Sequence, residues 1–236
     1  MIIYYHVEYM VGGKMINVLY EDNHIIVVEK PIGVLSQEDN TKDKDLLTLT
    51  KEYIKEKYNK PGNVYLGLVH RLDRMVGGVM VFAKTSKAAS RLSEAIRKKE
   101  LTKNYLAIVK GKVKEKDKLI DHIKRLDNGN SIIDPSGEEA ILNYELISYN
   151  EEKDCSLVKI NLITGRHHQI RVQFSSRNHP ILGDHRYSDT KDKLPIALYA
   201  YYLEFTHPVK KVTINFKKYP PNTGYWKNFN LNEFNI

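Results

Sequence analysis

The feature that most narrows the possible folds is a charged, glycine-containing turn between two apolar runs. Tyr65 to Val69 and Val79 to Ala83 are short and rich in aliphatic and aromatic residues, as buried strands are. Between them lies His70-Arg71-Leu72-Asp73-Arg74-Met75-Val76-Gly77-Gly78, in which one carboxylate is flanked by two arginines. Paired glycines let a chain turn tightly and let another backbone or a ligand come close. An acid between two cations is expected to stay ionised, as a nucleophile or charge stabiliser must. A surface turn with a local salt bridge fits the same residues, so the turn alone names no chemistry.

The flanking sequence is strand-rich. Met15 to Tyr20 and Ile25 to Val28 read as strands about a polar turn, and Pro31 with Gly33 marks an abrupt change of direction. Asp45 is placed to cap a helix running to about Tyr58, and Ser86 a helix running to about Lys99. Lys103 to Gly111, residues 139–149 and 155–163, Ala200 to Phe205 and Val212 to Phe216 alternate as strands do, whereas Lys112 to Asp121 is charged and reads as a connection. Thr164 is placed to cap a helix whose first turn carries Arg166, with Ile170 and Phe174 four apart on its packed face. Trp226 is expected to pin the tail, Tyr219 to Ile236, to the body of the protein.

The length of 236 residues suits one large domain or two small ones. Without a repeat, low-complexity tract or linker-like break, residues 1–236 are expected to form a single catalytic domain, with 1–14 as an N-terminal extension. Lys and Arg total 37 against 29 Asp and Glu, and a net charge of +8 favours a polyanionic partner. Cys155 is the only cysteine, which excludes an intramolecular disulfide or a thiolate metal cluster; it reads as a core thiol. Residues 1–14 do not form a signal peptide and no apolar run is long enough to span a bilayer, so the expectation is a soluble cytoplasmic protein with no membrane partner. His167 and His168 are adjacent. On a helix such residues point apart, and no His at i+4 completes a site, so no metal is expected.

Several segments together resemble one family. The run His70-Arg71-Leu72-Asp73-Arg74, with Gly78 and Phe82-Ala83-Lys84-Thr85, resembles the signature of the RluA-type pseudouridine synthases. So do Lys30-Pro31-Ile32-Gly33-Val34-Leu35-Ser36-Gln37, Lys103-Asn104-Tyr105-Leu106-Ala107-Ile108-Val109-Lys110-Gly111 and Thr164-Gly165-Arg166-His167-His168-Gln169-Ile170-Arg171. Pro180 to Tyr187 resembles the family's Pro-(Ile/Leu)-x-Gly-Asp-x-x-Tyr turn, and His207-Pro208 its closing pair. The chain departs from the pattern at Met75-Val76-Gly77, where relatives carry polar or small residues, and at Tyr199, where they carry histidine. The resemblance covers about residues 16 to 218.

The resemblance implies an α+β fold, with a mostly antiparallel mixed β-sheet, flanking helices and a central RNA-binding cleft. It implies isomerisation of specific uridines in structured ribosomal or transfer RNA, without a cofactor and by a monomer. Relatives often carry a further RNA-binding domain upstream; none is expected here. By the same carry-over Asp73 is the nucleophile or stabiliser, Tyr105 the group that stacks on the base or takes its C5 proton, and Arg171 the ion-pair partner of the aspartate. Arg71 would help hold the extruded base, and His70, Arg74, Arg166 and Gln169 would contact RNA. Lys98-Lys99, Lys110 and Lys210-Lys211 are further candidates for phosphate contacts. Two other classes fit parts of the sequence. An RNA-binding module that has lost catalysis fits the two departures, and a hydrolase using Asp73 on another glycosidic bond would need a second acid that no segment nominates.

Overall fold

The computed structural model describes residues 7–11, 14–41 and 43–234. They fall into two compact units, residues 1–101 with 202–218 and residues 102–201 with 219–236.

In the first unit, β1 (Val7–Val11) pairs antiparallel with β2 (Lys14–Glu21), and β2 with β3 (Ile25–Lys30). Part of the N-terminal extension is therefore an additional strand; residues 1–6 and 12–13 lie outside the described residues. Asp45 caps α1 (Leu46–Lys57) by accepting from the Thr48 amide at 3.0 Å, and Leu46, Leu49, Tyr53 and Ile54 form the buried face. β4 is only Gly67–Leu68, shorter than the run Tyr65 to Val69 led us to expect. The register Leu68↔Phe82 would next bring Val69 opposite Val81, but the Val81 amide instead donates to His70 Nε2 at 3.1 Å. A side chain thus takes the hydrogen bond that a longer strand would need.

β5 (Gly77–Ala83) is buried at every residue, which is why its sequence is continuously apolar rather than alternating. α2 (Ser86–Arg97) is capped by Thr85, not by Ser86: the Thr85 hydroxyl accepts from the Ala88 amide at 3.2 Å while its backbone is extended. Replacing Thr85 with Ala is expected to destabilise the protein by about 1 kcal/mol in urea titration, with Ser86→Ala nearly silent. Equal effects would return the cap to Ser86.

In the second unit, β6 (Thr102–Lys110) opens the ladder, and β7 is Lys116–Arg125. The segment read as a connection is therefore largely a strand. Only Leu119 and Ile123 of β7 are buried, so its charged face hides the pattern; pairing with a distant strand decides the conformation. β8 (Ser131–Ile133), which has no signal of its own in the sequence, pairs with β7. β9 (Glu138–Asn150) pairs with β7, and β10 (Cys155–Leu162) with β9 and β6, all antiparallel. Cys155 is fully buried, and burial pushes its thiol up. α3 (Gln169–Ser175) is a short helix with Ile170, Val172 and Phe174 buried.

The boundary between the units falls inside β11 (Leu198–Thr206). Its second half pairs with β12 (Thr213–Lys217), and Leu203, Phe205, Ile214 and Phe216 join Val27, Val79, Val81 and Leu92 in the core of the first unit. Each such aliphatic or aromatic side chain contributes roughly 1.5–3 kcal/mol by leaving water. Trp226, in a short 3-10 turn (Gly224–Asn228), is buried, as expected of a residue that fastens the tail. No described helix is long and apolar enough to cross a membrane.

Candidate active site

The candidate residues fall into a group in each unit. In the first, Asp73 is half-buried on the irregular loop between β4 and β5, with Leu72 buried and Arg71 exposed. The backbone on both sides of Asp73 is bonded. Ser36 Oγ donates to the Leu72 carbonyl at 2.8 Å and accepts from the Leu72 amide at 3.1 Å. The Arg74 carbonyl accepts from the Gly33 amide and from Lys30 Nζ, both at 2.9 Å. The Asp73 carbonyl accepts from the Val76 amide at 3.0 Å. Gly33, with φ +83°, turns the chain so that its amide can reach this loop. The Arg74 guanidinium donates to the Gly33 carbonyl at 3.2 Å and pairs with Asp43 at 2.5 Å, so it is bound to the protein itself.

Lys30 is completely buried and its ammonium also donates to the Pro31 and Val34 carbonyls. Burial pushes it down to about 7, with Asp73 opposing that change and Arg74 adding to it. Its folded-state value lies below the unfolded value near 10.4. Between about pH 7 and 10 the unfolded chain therefore binds more protons, and stability rises with pH across that window. Lys30→Met is expected to remove this rise and to destabilise the protein at neutral pH by roughly 3 kcal/mol, because three carbonyls each lose one hydrogen bond. Denaturant titrations of both proteins at pH 7 and 9.5 check this; parallel pH dependence would refute it.

In the second unit, Tyr105 is buried on β6 opposite Ile160. The helix start differs from the expectation. Thr164 does not cap α3; its hydroxyl accepts from the Ile141 amide at 2.7 Å and donates to Gln169 Oε1 at 2.8 Å. His168, with a left-handed φ of +54°, precedes the helix and leaves Arg166 in a loop. There Arg166 donates to the Glu139 carbonyl at 2.8 Å and to Glu138 at 2.9 Å, while Gln169 Oε1 accepts from the Arg166 amide at 3.0 Å. Because both histidines lie outside the helix, their rings do not point apart. They lie against each other with centroids 3.7 Å apart and planes tilted by 32°, His167 Nδ1 against Ser131 Oγ at 2.9 Å and His168 Nδ1 against Tyr187 Oη at 2.8 Å.

Arg171 is held by a residue that the sequence reading left out of the site. Its Nε and Nη2 donate to the two oxygens of the fully buried Asp184 carboxylate, each at 2.8 Å. This bidentate fork fixes the guanidinium plane, and the Tyr187 ring lies 5.1 Å from it. Asp184 also accepts from the Arg186 and Tyr187 amides. Gly183 before it has φ +74°, and a side chain there would strike the Pro195 carbonyl at 2.7 Å. Burial pushes the Tyr187 hydroxyl up, keeping it protonated. Asp184 and Tyr187 stood in a recognised segment, Lys30 and Ser36 in another; Ser131 had no sequence signal. Among the described residues no group of three His, Cys, Asp or Glu could hold a metal.

These motifs and this fold define an RNA-modifying isomerase of the pseudouridine synthase class. The family model described as RNA pseudouridylate synthase matches residues 24–176, and the chain belongs to that family, in its RluA-type branch. An uncharacterised RNA pseudouridine synthase of Aquifex aeolicus is 35% identical, across 88% of this chain and 70% of its own. The dual-specificity RNA pseudouridine synthase RluA of Yersinia pestis is 33% identical, across 85% of this chain and 97% of its own. Some relatives are longer: the chain spans 52% of the ribosomal large subunit pseudouridine synthase D of the same organism. The solved human RNA pseudouridylate synthase domain containing 4 shares the fold, with a TM-score of 0.72, 24% identity and coverage of 86% of this chain and 88% of that one.

Proposed function

We propose that this protein converts one or a few uridines of structured ribosomal or transfer RNA to pseudouridine in the cytoplasm, with Asp73 as nucleophile or electrostatic stabiliser. The reaction breaks the C1′–N1 glycosidic bond, turns the uracil over and rejoins it through C5. No atom is lost and no electron is transferred, so the chemistry calls for no cofactor. The observation that carries this reading is the pinned Leu72–Arg74 backbone, bonded to Ser36, Gly33 and Lys30. A carboxylate that must meet a developing sugar cation gains most from a position settled before the substrate arrives.

In this reading Tyr105 stacks on the base or takes its C5 proton, and Arg171, oriented by Asp184, is the cationic partner of the carboxylate. A base inside a helical stack is out of reach, so the target nucleotide is extruded at a cost of a few kcal/mol. Arg71, which is exposed, is suited to fill the vacated space, and His70 and Gln169 support the two loops. The surplus of +8 favours an RNA backbone, with affinity that falls as salt rises.

Pseudouridine mapping of total RNA, with the gene deleted and then restored, tests this. Loss of a defined site, rescued by the wild type and not by Asp73→Asn, is the expected result. A map that stays unchanged in a strain lacking paralogues would sink the proposal.

A further inference from the structure

Lys103 stands two residues before Tyr105 on β6, so both side chains leave the same face of the strand. It lies where the β6–β10 ladder ends, the last register pair being Asn161↔Asn104, beside the loop that contains Gly165. The side chain is half-buried, and burial pushes its ammonium down with no charged neighbour acting on it. Among the described residues nothing hydrogen-bonds or pairs with this ammonium. Other desolvated lysines here are served differently: Lys30 has three carbonyls, and Lys84 has Glu21 at 2.6 Å. Withdrawing an unpaired cation from water is unfavourable, and an arriving anion offsets that cost.

Gly165 makes that cation reachable. It is exposed, its φ lies outside the left-handed region, and a side chain there would stand in ordinary contact, 3.7 Å from Lys103 Nζ. Neither backbone conformation nor packing therefore demands glycine. Any larger residue would cover the ammonium. The other cation of the loop, Arg166, is occupied by Glu138 and the Glu139 carbonyl, so Lys103 supplies the local positive charge.

We propose that Lys103, reached over Gly165, binds a phosphate of the RNA strand at the nucleotide that Tyr105 receives. This deepens the proposed function and rests on it. An ammonium is a compact point charge suited to a phosphate oxygen, and RNA offers one such group per nucleotide. Lys103 is a positioning residue here: it sets where the strand lies, while the bond changes occur at the sugar and base.

The test is filter binding of the full chain to unmodified transcripts of ribosomal and transfer RNA between about 50 and 200 mM salt. Lys103→Met is expected to weaken binding roughly tenfold and to reduce the slope of log affinity against log salt by about one. Lys103→Arg restores the slope, and Gly165→Val reproduces the loss with the lysine still present. A purely structural lysine would not move the slope. Should Lys103→Met fail to fold, reductive methylation of the wild type replaces it: RNA is expected to protect Lys103, and full reactivity in the complex overturns the proposal. An unchanged slope with intact pseudouridine formation overturns the Lys103 assignment alone. Absence of pseudouridine formation by the wild type overturns the enzymatic reading instead.

Discussion

Asp73→Asn is expected to lower the single-turnover rate of pseudouridine formation by about four orders of magnitude, the scale on which removing one essential catalytic group acts. The amide keeps the size of the side chain and loses its charge, while hydrogen bonds to Ser36 and Gly33 still hold the backbone on both sides. Leu72 is held by the Ser36 hydroxyl and the Arg74 carbonyl by the Gly33 amide, bonds made by neutral groups. RNA affinity and thermal stability should therefore stay close to wild type while turnover disappears. A variant that retains turnover would remove Asp73 from the chemistry. One that loses turnover only because it has unfolded would make the residue structural.

Asp184→Ala is the second large effect, and it joins stability to activity. The carboxylate is buried, forms both bonds of the fork to Arg171 and accepts two backbone amides. Removing one partner of a buried pair leaves the other charge uncompensated and costs about 3–5 kcal/mol. In a protein of this length that lowers Tm by roughly 10 °C. Removing both, as Asp184→Leu with Arg171→Met, should cost less stability than the single change, since the two charges of the fork leave together. With Arg171 in the proposed role, turnover should fall roughly a hundredfold in Asp184→Ala, because the guanidinium loses the fork that orients it. Calorimetry with single-turnover assays separates the two consequences. A Tm equal to wild type would show that the fork carries no load.

How much was legible in the sequence varied with the range of the forces involved. β5 could be read from its own residues, because complete burial demands an unbroken apolar run. α1 and its Asp45 cap were also readable, since a cap bonds an amide three residues away. β7 was not: only Leu119 and Ile123 turn inward, and the strand exists because β9 and β8 offer it backbone partners. The start of α3 is hidden from the sequence for a related reason. Thr164 looks like a cap, but its hydroxyl is taken by Ile141, 23 residues earlier in the chain.

The candidate site divides in the same way. Sequence alone determined which groups are available: one carboxylate between arginines, a strand tyrosine, and an arginine at the end of a Thr-Gly-Arg segment. Those are local chemical facts, carried by residue type and spacing. Only the tertiary structure decided what holds them: Lys30 bonded to a carbonyl 44 residues away, Ser36 to a backbone 36 away, and Asp184 closing on Arg171 across 13. It also decided that Arg74 and Arg166 bond to the protein itself and that Lys103 has no partner among the described residues. The physical reason is that a side chain's charge is written in the sequence. The partner that satisfies it is chosen by folding, which brings distant donors and acceptors within 3 Å and leaves water to neither.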